Sequence, residues 1–228
     1  MKQPTKKLEQ QLFKQGYNLV CGLDEVGRGA WAGPIVAGAT IIENVKLKII
    51  SPRLTRLGRE SSGVRFAHKL IRDSKKLNHE QRVKAAAWLK ENIIWGIGQV
   101  ESWEIDAIGL GAANILAMRR AVAKLKIKPD YFLVDGPHLG KNFFPSQSII
   151  AGDAKVWCIA AASIIAKVYR DDLMKQLHQQ YPQYGFASHV GYGTKQHQQA
   201  LKKYGAIQQH RQSYRPIKNL KVIKKPQL

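Results

Sequence analysis

The stretch Tyr17-Asn18-Leu19-Val20-Cys21-Gly22-Leu23-Asp24-Glu25-Val26-Gly27-Arg28-Gly29 decides the reading of this chain. Tyr17 to Leu23 is a mostly apolar run of strand length and reads as a β-strand. It ends on two adjacent carboxylates, Asp24 and Glu25, followed by a glycine-flanked arginine. Neighbouring side chains of an ideal strand face opposite ways. Both acids therefore serve one site only if the strand ends or bulges there. Gly27 and Gly29 allow a tight turn. Ile35 to Ile42, apolar and β-branched with small residues between, then reads as the second strand of a hairpin.

The acid pair stands out because the chain is so basic. Its 228 residues carry 37 Lys and Arg against 16 Asp and Glu, a net charge of +21. A divalent cation explains clustered acids in such a protein, because it neutralises them and supplies chemistry. The cationic surplus points to a polyanionic substrate such as nucleic acid. With 44% hydrophobic and 23% charged residues, the chain can bury a core and is not a disordered polycation. Cys21 and Cys158 sit in apolar settings without metal-site spacing and read as two buried thiols in a reducing cytosol. No apolar run approaches the roughly 18 residues of a membrane span, and Met1-Lys2-Gln3-Pro4 leads into polar residues. A soluble, cytoplasmic protein is expected.

Residues 4–17 read as a short polar helix or arm. Asn78-His79-Glu80-Gln81 has capping-box spacing and opens a helix to about Asn92. Ile93 to Val100 reads as a strand whose two glycines permit close packing. Asp106 is placed to cap a further helix with apolar positions Ile108, Ala112, Ile115, Leu116, Val122 and Leu125. Tyr131 to Val134 suggests an interior strand ending at Asp135. Gln147 to Ala151 reads as another short strand, and a long helix covers roughly 155–179 until Tyr181-Pro182. Strands alternating with helices after an initial hairpin indicate an α/β domain with a mixed sheet. Beyond Leu173 there is no Asp or Glu, and that basic tail reads as a small helix around 194–204 plus an irregular end.

Asp135, at a strand end, and Asp153, at a loop or helix start, can join Asp24 and Glu25 above the sheet. Phosphodiester hydrolysis with paired metals needs several anionic oxygens of this kind. Local sequence leaves alternatives open. Asp135-Gly136-Pro137 also suits a plain turn, and Asp153 a plain helix cap. Asp172 is placed to balance Lys175 or Arg170 at a helix surface.

The chain resembles the ribonuclease HII family. Gly22-Leu23-Asp24-Glu25-Val26-Gly27-Arg28-Gly29, with Ala32-Gly33-Pro34, is similar to its opening signature. Asp73-Ser74-Lys75-Lys76-Leu77, Val134-Asp135-Gly136, and Gly152-Asp153 with Ala161 to Asp171 resemble its second to fourth motifs. Tyr181-Pro182 and His189 followed by Gly191-Tyr192-Gly193-Thr194 complete the series in family order. The resemblance implies an RNase H-like fold, a central mixed five-stranded sheet flanked by helices, with a C-terminal helical extension. It implies a catalytic domain over 1–180 and a basic, partly helical extension over 181–228 that contributes to substrate binding.

The same resemblance implies cleavage of RNA in RNA–DNA hybrids and 5′ to a single ribonucleotide in duplex DNA. Water attacks in line with the departing 3′ oxygen, leaving a 3′-hydroxyl and a 5′-phosphate, with Mg²⁺ or Mn²⁺ held by Asp24, Glu25, Asp135 and Asp153. Gly27, Arg28 and Gly29 are expected at the 2′-hydroxyl and neighbouring phosphate. Tyr192 is expected on the deoxyribose at the RNA-to-DNA junction. Lys75, Lys76 and Lys167 are candidate phosphate contacts, and Ser163 suits either phosphate binding or packing. Two departures stand out. Val190 replaces the lysine the family commonly has before Gly-Tyr-Gly, and the segment between Ile42 and Asp73 is long and arginine-rich.

The competing functions are another RNase H-like two-metal nuclease, such as a hybrid nuclease or junction resolvase, and a non-catalytic nucleic-acid-binding module. The Gly-Arg-Gly turn together with Tyr192 speaks against the first. The four acids speak against the second. The expected partners are RNA–DNA hybrid and ribonucleotide-containing duplex DNA, with no membrane. A monomer is expected, and no protein-partner segment is evident.

Overall fold

The computed structural model describes residues 3–44, 71, 77–136, 143, 145–220 and 222. The expected phosphate contacts Lys75 and Lys76 lie outside the described residues. So does most of the arginine-rich segment. Five strands form one mixed sheet: β1 (Leu19–Val26), β2 (Ile35–Glu43), β3 (Ile94–Val100), β4 (Tyr131–Asp135) and β5 (Ser146–Ile149). Their order is β3-β2-β1-β4-β5. β1 pairs antiparallel with β2 and β2 with β3, while β1–β4 and β4–β5 are parallel. This is the sheet the resemblance implied.

Helices cover both faces. α1 (Lys7–Lys14), α2 (His79–Asn92) and the 24-residue α5 (Trp157–Gln180) lie on one side, and α3 (Ser102–Ile108) and α4 (Leu110–Ala123) on the other. The α2 capping box is present, with Asn78 Oδ1 accepting from Gln81 N at 2.8 Å and Gln81 Oε1 from Asn78 N at 3.2 Å. α5 comes close to the sheet because β1 and β2 offer it no side chains at Gly22 and Gly38. A Cβ there would run into the backbone of Cys158 and Ala162. Gly96 and Gly98 do the same for α4 at Ala117 and Ala121.

The region after β3 differs from expectation. Asp106 caps nothing. It sits inside α3, and its carboxylate accepts from Gln212 N, Ser213 N and Ser213 Oγ at 2.6–2.9 Å. Gly109, at φ +79°, breaks the helix in two. The buried stripe of α4 is Ala113, Asn114, Ala117, Met118 and Ala121, whereas Ile108 is exposed. Small residues face the sheet because the strand glycines bring the helix too close for larger ones.

After α5, a 3₁₀ turn (Pro182–Tyr184), α6 (Phe186–His189) and α7 (Lys195–Tyr204) fold back on its C-terminal end. Met174, Tyr184, Phe186, Leu201, Ile207 and Ile217 form their own apolar cluster, which includes Ala32 from the β1–β2 connection. α7 is capped by Thr194, whose Oγ1 accepts from His197 N. The tail is therefore packed onto the hairpin that carries the Gly-Arg-Gly turn. Cys21 and Cys158 are free and buried. Among the described residues no helix is long and apolar enough to cross a membrane.

The glycine contacts generate a stability prediction. Gly38→Ala places a methyl group against the Ala162 carbonyl and should destabilise the protein by about 1–3 kcal/mol, the usual range for overpacking. The urea midpoint measures this, and an unchanged midpoint would contradict the close packing of α5.

Candidate active site

β1 stays regular through both acids. Asp24 pairs with Gly38, Glu25 with Ala37 and Val26 with Val36, so the strand neither ends nor bulges at the acid pair. The two side chains leave on opposite faces, as pleating requires. Val20, Gly22 and Asp24 face α5, while Cys21, Leu23 and Glu25 face α4. Both carboxylates reach one site because it lies at the open end of the sheet, where the faces meet.

The parallel register of β1 and β4 supplies the third acid. Gly22 pairs with Leu133 and Leu23 with Val134, so the next step sets Asp24 beside Asp135. The fourth comes from the chain after β5. Ala151 adopts a left-handed conformation and delivers Asp153 within a 3₁₀ turn, Gly152–Ala154. Gly152 N donates to Asp135 Oδ1 at 2.6 Å and ties this turn to the end of β4. The plain cap reading of Asp153 fails for α5, whose N-cap is Val156 with no side-chain cap bond. Asp153 is 5% exposed, and so is Asp24.

Asp24, Glu25, Asp135 and Asp153 line one cavity of about 340 Å³ together with Gly27, Arg28, Gly29, Ser163, Lys167 and Tyr192. Burial, followed by the charges of Asp135 and Glu25, raises Asp24 well above the usual carboxylate range. Glu25 is raised by burial and then by Asp135, while the Arg28 charge and a hydrogen bond from Asn114 pull it back. Ser163, mostly buried, bonds the Asp24 carboxylate. Each acid facing a helix thus has one neutral partner on that helix.

Such a cluster of mutually repelling anions is electrostatically incomplete without cations. Its donors are all hard carboxylate oxygens, which suit Mg²⁺ or Mn²⁺. Among the described residues no group of three or more His, Cys, Asp or Glu is arranged to hold a metal ion by itself. Mg²⁺ is ordinarily held by one or two carboxylates, with waters and substrate phosphate completing its shell.

The glycine turn and Tyr192 line the same cavity. Gly27 is at φ +87°, and a Cβ there would strike the Arg170 guanidinium. Gly29 faces the Tyr192 ring. Arg28 is about half exposed, with Nη1 3.9 Å from Glu25 Oε1. Arg170 is buried beneath them, not at the helix surface. It donates to Pro34 O and Val190 O at 2.9 Å and to Ala32 O at 3.3 Å, and lies 5.8 Å from the Tyr192 ring. Asp172 pairs with Lys175 at 3.5 Å. Val190 is left-handed at φ +43°, an unusual state for a β-branched residue, and its side chain packs into the apolar C-terminal cluster. Lys167 donates to Asp171 Oδ1 at 2.6 Å, at the rim of the cavity.

A chain of histidines supports Tyr192 from behind. Ile207 N donates to His210 Nδ1 at 3.0 Å, which leaves the proton on Nε2. That proton reaches His197 Nε2 at 3.0 Å, and His197 Nδ1–H then reaches the Tyr192 carbonyl at 3.0 Å. Burial lowers His197 to about 4 and His210 to about 3.

Sequence reasoning missed Asn114, Arg170, Arg211 and Tyr214. Asn114 carried a signal, since it is polar on the buried stripe of α4. The two arginines carried none, because a count of basic residues cannot tell a buried guanidinium from a solvated one.

Residues 21–217 match the Ribonuclease HII family. A Ribonuclease HII of Chlamydia caviae is 44% identical over 214 residues, which cover 93% of this chain and 91% of that protein. The crystal structure of ribonuclease H2 from Pyrococcus horikoshii OT3 superposes with a TM-score of 0.66 at 26% identity, covering 88% of this chain and 95% of that one. Bst-RNase HIII in complex with Mn²⁺ superposes with a TM-score of 0.61 over 89% of this chain and 68% of that one; at 17% identity it speaks to the fold alone. The fold is RNase H-like, and the class of protein is a type 2 ribonuclease H, a hydrolase of nucleic acid. The chain belongs to the ribonuclease HII family.

Two predictions come from this geometry. A hydrogen bond to a charged group contributes about 1.5–3 kcal/mol. Asn114→Ala should therefore lower hybrid-cleavage turnover by about tenfold or more while the fold persists. Unchanged kcat would remove Asn114 from the support of Glu25. The second concerns pH. His197 and His210 are held neutral in the fold, whereas the unfolded chain takes up protons near 6.5. Their stabilising contribution is full above that pH and is lost as pH falls through about 4 and about 3. Urea midpoints should drop from pH 7 to pH 4.5, and the drop should shrink in His210→Asn. An equal drop in the variant would contradict the assignment.

Proposed function

We propose that this protein cuts the RNA strand of RNA–DNA hybrids and cuts 5′ to a single ribonucleotide embedded in duplex DNA, leaving 3′-hydroxyl and 5′-phosphate ends. The observation that carries this reading is one cavity lined by four carboxylates, a glycine-flanked turn and Tyr192. An enzyme that tells RNA from DNA must read the 2′-hydroxyl. The turn lets backbone groups approach a sugar, and the Tyr192 ring, 37% exposed, offers a flat face to the next one.

Asp24, Glu25, Asp135 and Asp153 would hold Mg²⁺ or Mn²⁺, the second being the ion bound in the Bst-RNase HIII structure. When bound, such ions activate water and neutralise charge at the phosphate. The chain supplies the rest. Ser163 holds Asp24 and Asn114 holds Glu25. Asp135 is held by the Gly152 amide. Arg28 and Lys167 carry positive charge at the rim toward which a phosphate backbone is drawn. Lys167 must exchange its bond to Asp171 for any contact with substrate. Residues 181–228 act as the substrate-binding extension of a 1–180 catalytic unit. Their contribution of Tyr192 to the cavity supports this.

The test is cleavage of an end-labelled duplex carrying one ribonucleotide, with Mg²⁺, Mn²⁺ or EDTA. Cleavage 5′ to the ribonucleotide with either metal and none in EDTA is expected. Asp24→Asn and Asp135→Asn should each nearly abolish turnover without loss of hybrid affinity, because the lost groups are anions. Near-normal turnover in either variant would remove that residue from the catalytic set. Asp153→Asn and Asp153→Ser should both lose activity across a magnesium titration.

A further inference from the structure

Arg211 belongs to the basic C-terminal run, yet it is fully buried. Its guanidinium donates to Gly27 O at 2.7 Å, to Arg28 O at 2.8 Å, and to Gly33 O at 3.0 and 3.2 Å. It also donates to Tyr214 Oη at 2.9 Å, and that hydroxyl passes its own proton to Arg28 O at 2.8 Å. Two consecutive carbonyls of the Gly27-Arg28-Gly29 turn therefore end on one pair of tail residues. The tail is itself anchored. Arg211 N donates to Trp31 O at 2.8 Å, and Asp106 accepts from both Gln212 N and Ser213 N.

The direction of these bonds matters for recognition. In a planar trans peptide the N–H points opposite to the C=O. With the Gly27 and Arg28 carbonyls drawn inward to Arg211, the amides of Arg28 and Gly29 are turned outward, and both residues line the cavity. Burial of a cation without repayment is costly, but the carbonyl dipoles converging on Arg211 offset that cost. Lysine cannot reproduce the arrangement, because it lacks the planar fork that reaches several acceptors in fixed directions.

We propose that Arg211, assisted by Tyr214, is the positioning residue for the sugar-reading turn, presenting the Arg28 and Gly29 amides to the 2′-hydroxyl and adjacent phosphate oxygen. The proposal rests on the reading that this turn meets the ribonucleotide. Selection of ribose over deoxyribose is then set from the C-terminal segment, by residues other than the four acids.

The test is binding in EDTA, which separates recognition from chemistry. Fluorescence anisotropy gives the affinity for a duplex with one ribonucleotide and for the same duplex in DNA alone. Wild type should prefer the ribonucleotide. Arg211→Lys keeps the charge and should lose about tenfold of that preference, with all-DNA affinity retained. Tyr214→Phe should lose a smaller part. In cleavage, kcat/KM of Arg211→Lys should fall further on the lone ribonucleotide than on a long hybrid, with the Mg²⁺ dependence unmoved. Wild-type preference in a folded Arg211→Lys and in Tyr214→Phe would overturn the proposal, as would equal losses on both duplexes. If Arg211→Lys fails to fold, Tyr214→Phe decides. A wild type that shows no preference and does not cut at the lone ribonucleotide overturns the functional reading itself, a result distinct from a failure of Arg211.

Discussion

The parallel pairing of β1 with β4 is the constraint on which the rest depends. It sets Asp24 beside Asp135 at the end of a sheet whose interior is almost wholly apolar. That juxtaposition is unfavourable in isolation, because the buried Asp24 carboxylate is poorly solvated and lies beside the like charge of half-buried Asp135. Everything around it manages this cost. Ser163 and Asn114 reach in from the two helical layers, and the Gly152 amide closes on Asp135. The glycines of β1 and β2 bring α5 close enough for Ser163 to reach.

The other half of the cavity inverts the logic. There the buried charges are cations, Arg170 and Arg211, and apart from the Tyr214 hydroxyl their hydrogen-bond acceptors are main-chain carbonyls from the β1–β2 connection and from Val190. Burial lowers Arg170 to about 10, so it stays charged at neutral pH. Polar networks of this kind rigidify when every donor is satisfied. They join the C-terminal segment to the catalytic sheet through directional bonds as well as through the Ala32-Met174-Ile207 apolar cluster. The tail of this basic protein is thus more than a solvated run of charge.

Much of this was legible beforehand. The strand end at Asp135, the Asn78 capping box, the long helix after Asp153 and the Thr194 helix all follow from periodicity and turn chemistry. The mixed sheet followed from a hairpin and then strands alternating with helices, whereas the five-stranded count and the convergence of the acids came from the ordered family motifs, since separation along the chain does not reveal register. The errors have physical causes. A strand end or a bulge was expected at Asp24-Glu25 because alternation sends the side chains apart, but at a sheet end both faces open on one cavity. Asp106 looked like a cap because it precedes an apolar stretch, yet Gly109 breaks the helix and frees Asp106 to bind the tail. Of the apolar positions expected in this region, Leu116, Val122 and Leu125 do pack against the core, but Ile108 and Ala112 are exposed and the fully buried positions include Ala113, Ala117 and Ala121, because no sequence pattern shows how near β3 approaches.

The central claim is that the acid cluster is built for cations and is strained without them. Thermal unfolding of wild type and Asp24→Asn at neutral pH, with and without Mn²⁺, tests it most directly. Removing one buried charge should raise the metal-free melting temperature, because the Asp24 carboxyl is raised and its ionised form disfavours the fold. The same substitution should abolish the further rise that Mn²⁺ gives the wild type. An Asp24→Asn protein that melts lower without metal and keeps the full Mn²⁺-induced rise would contradict the account.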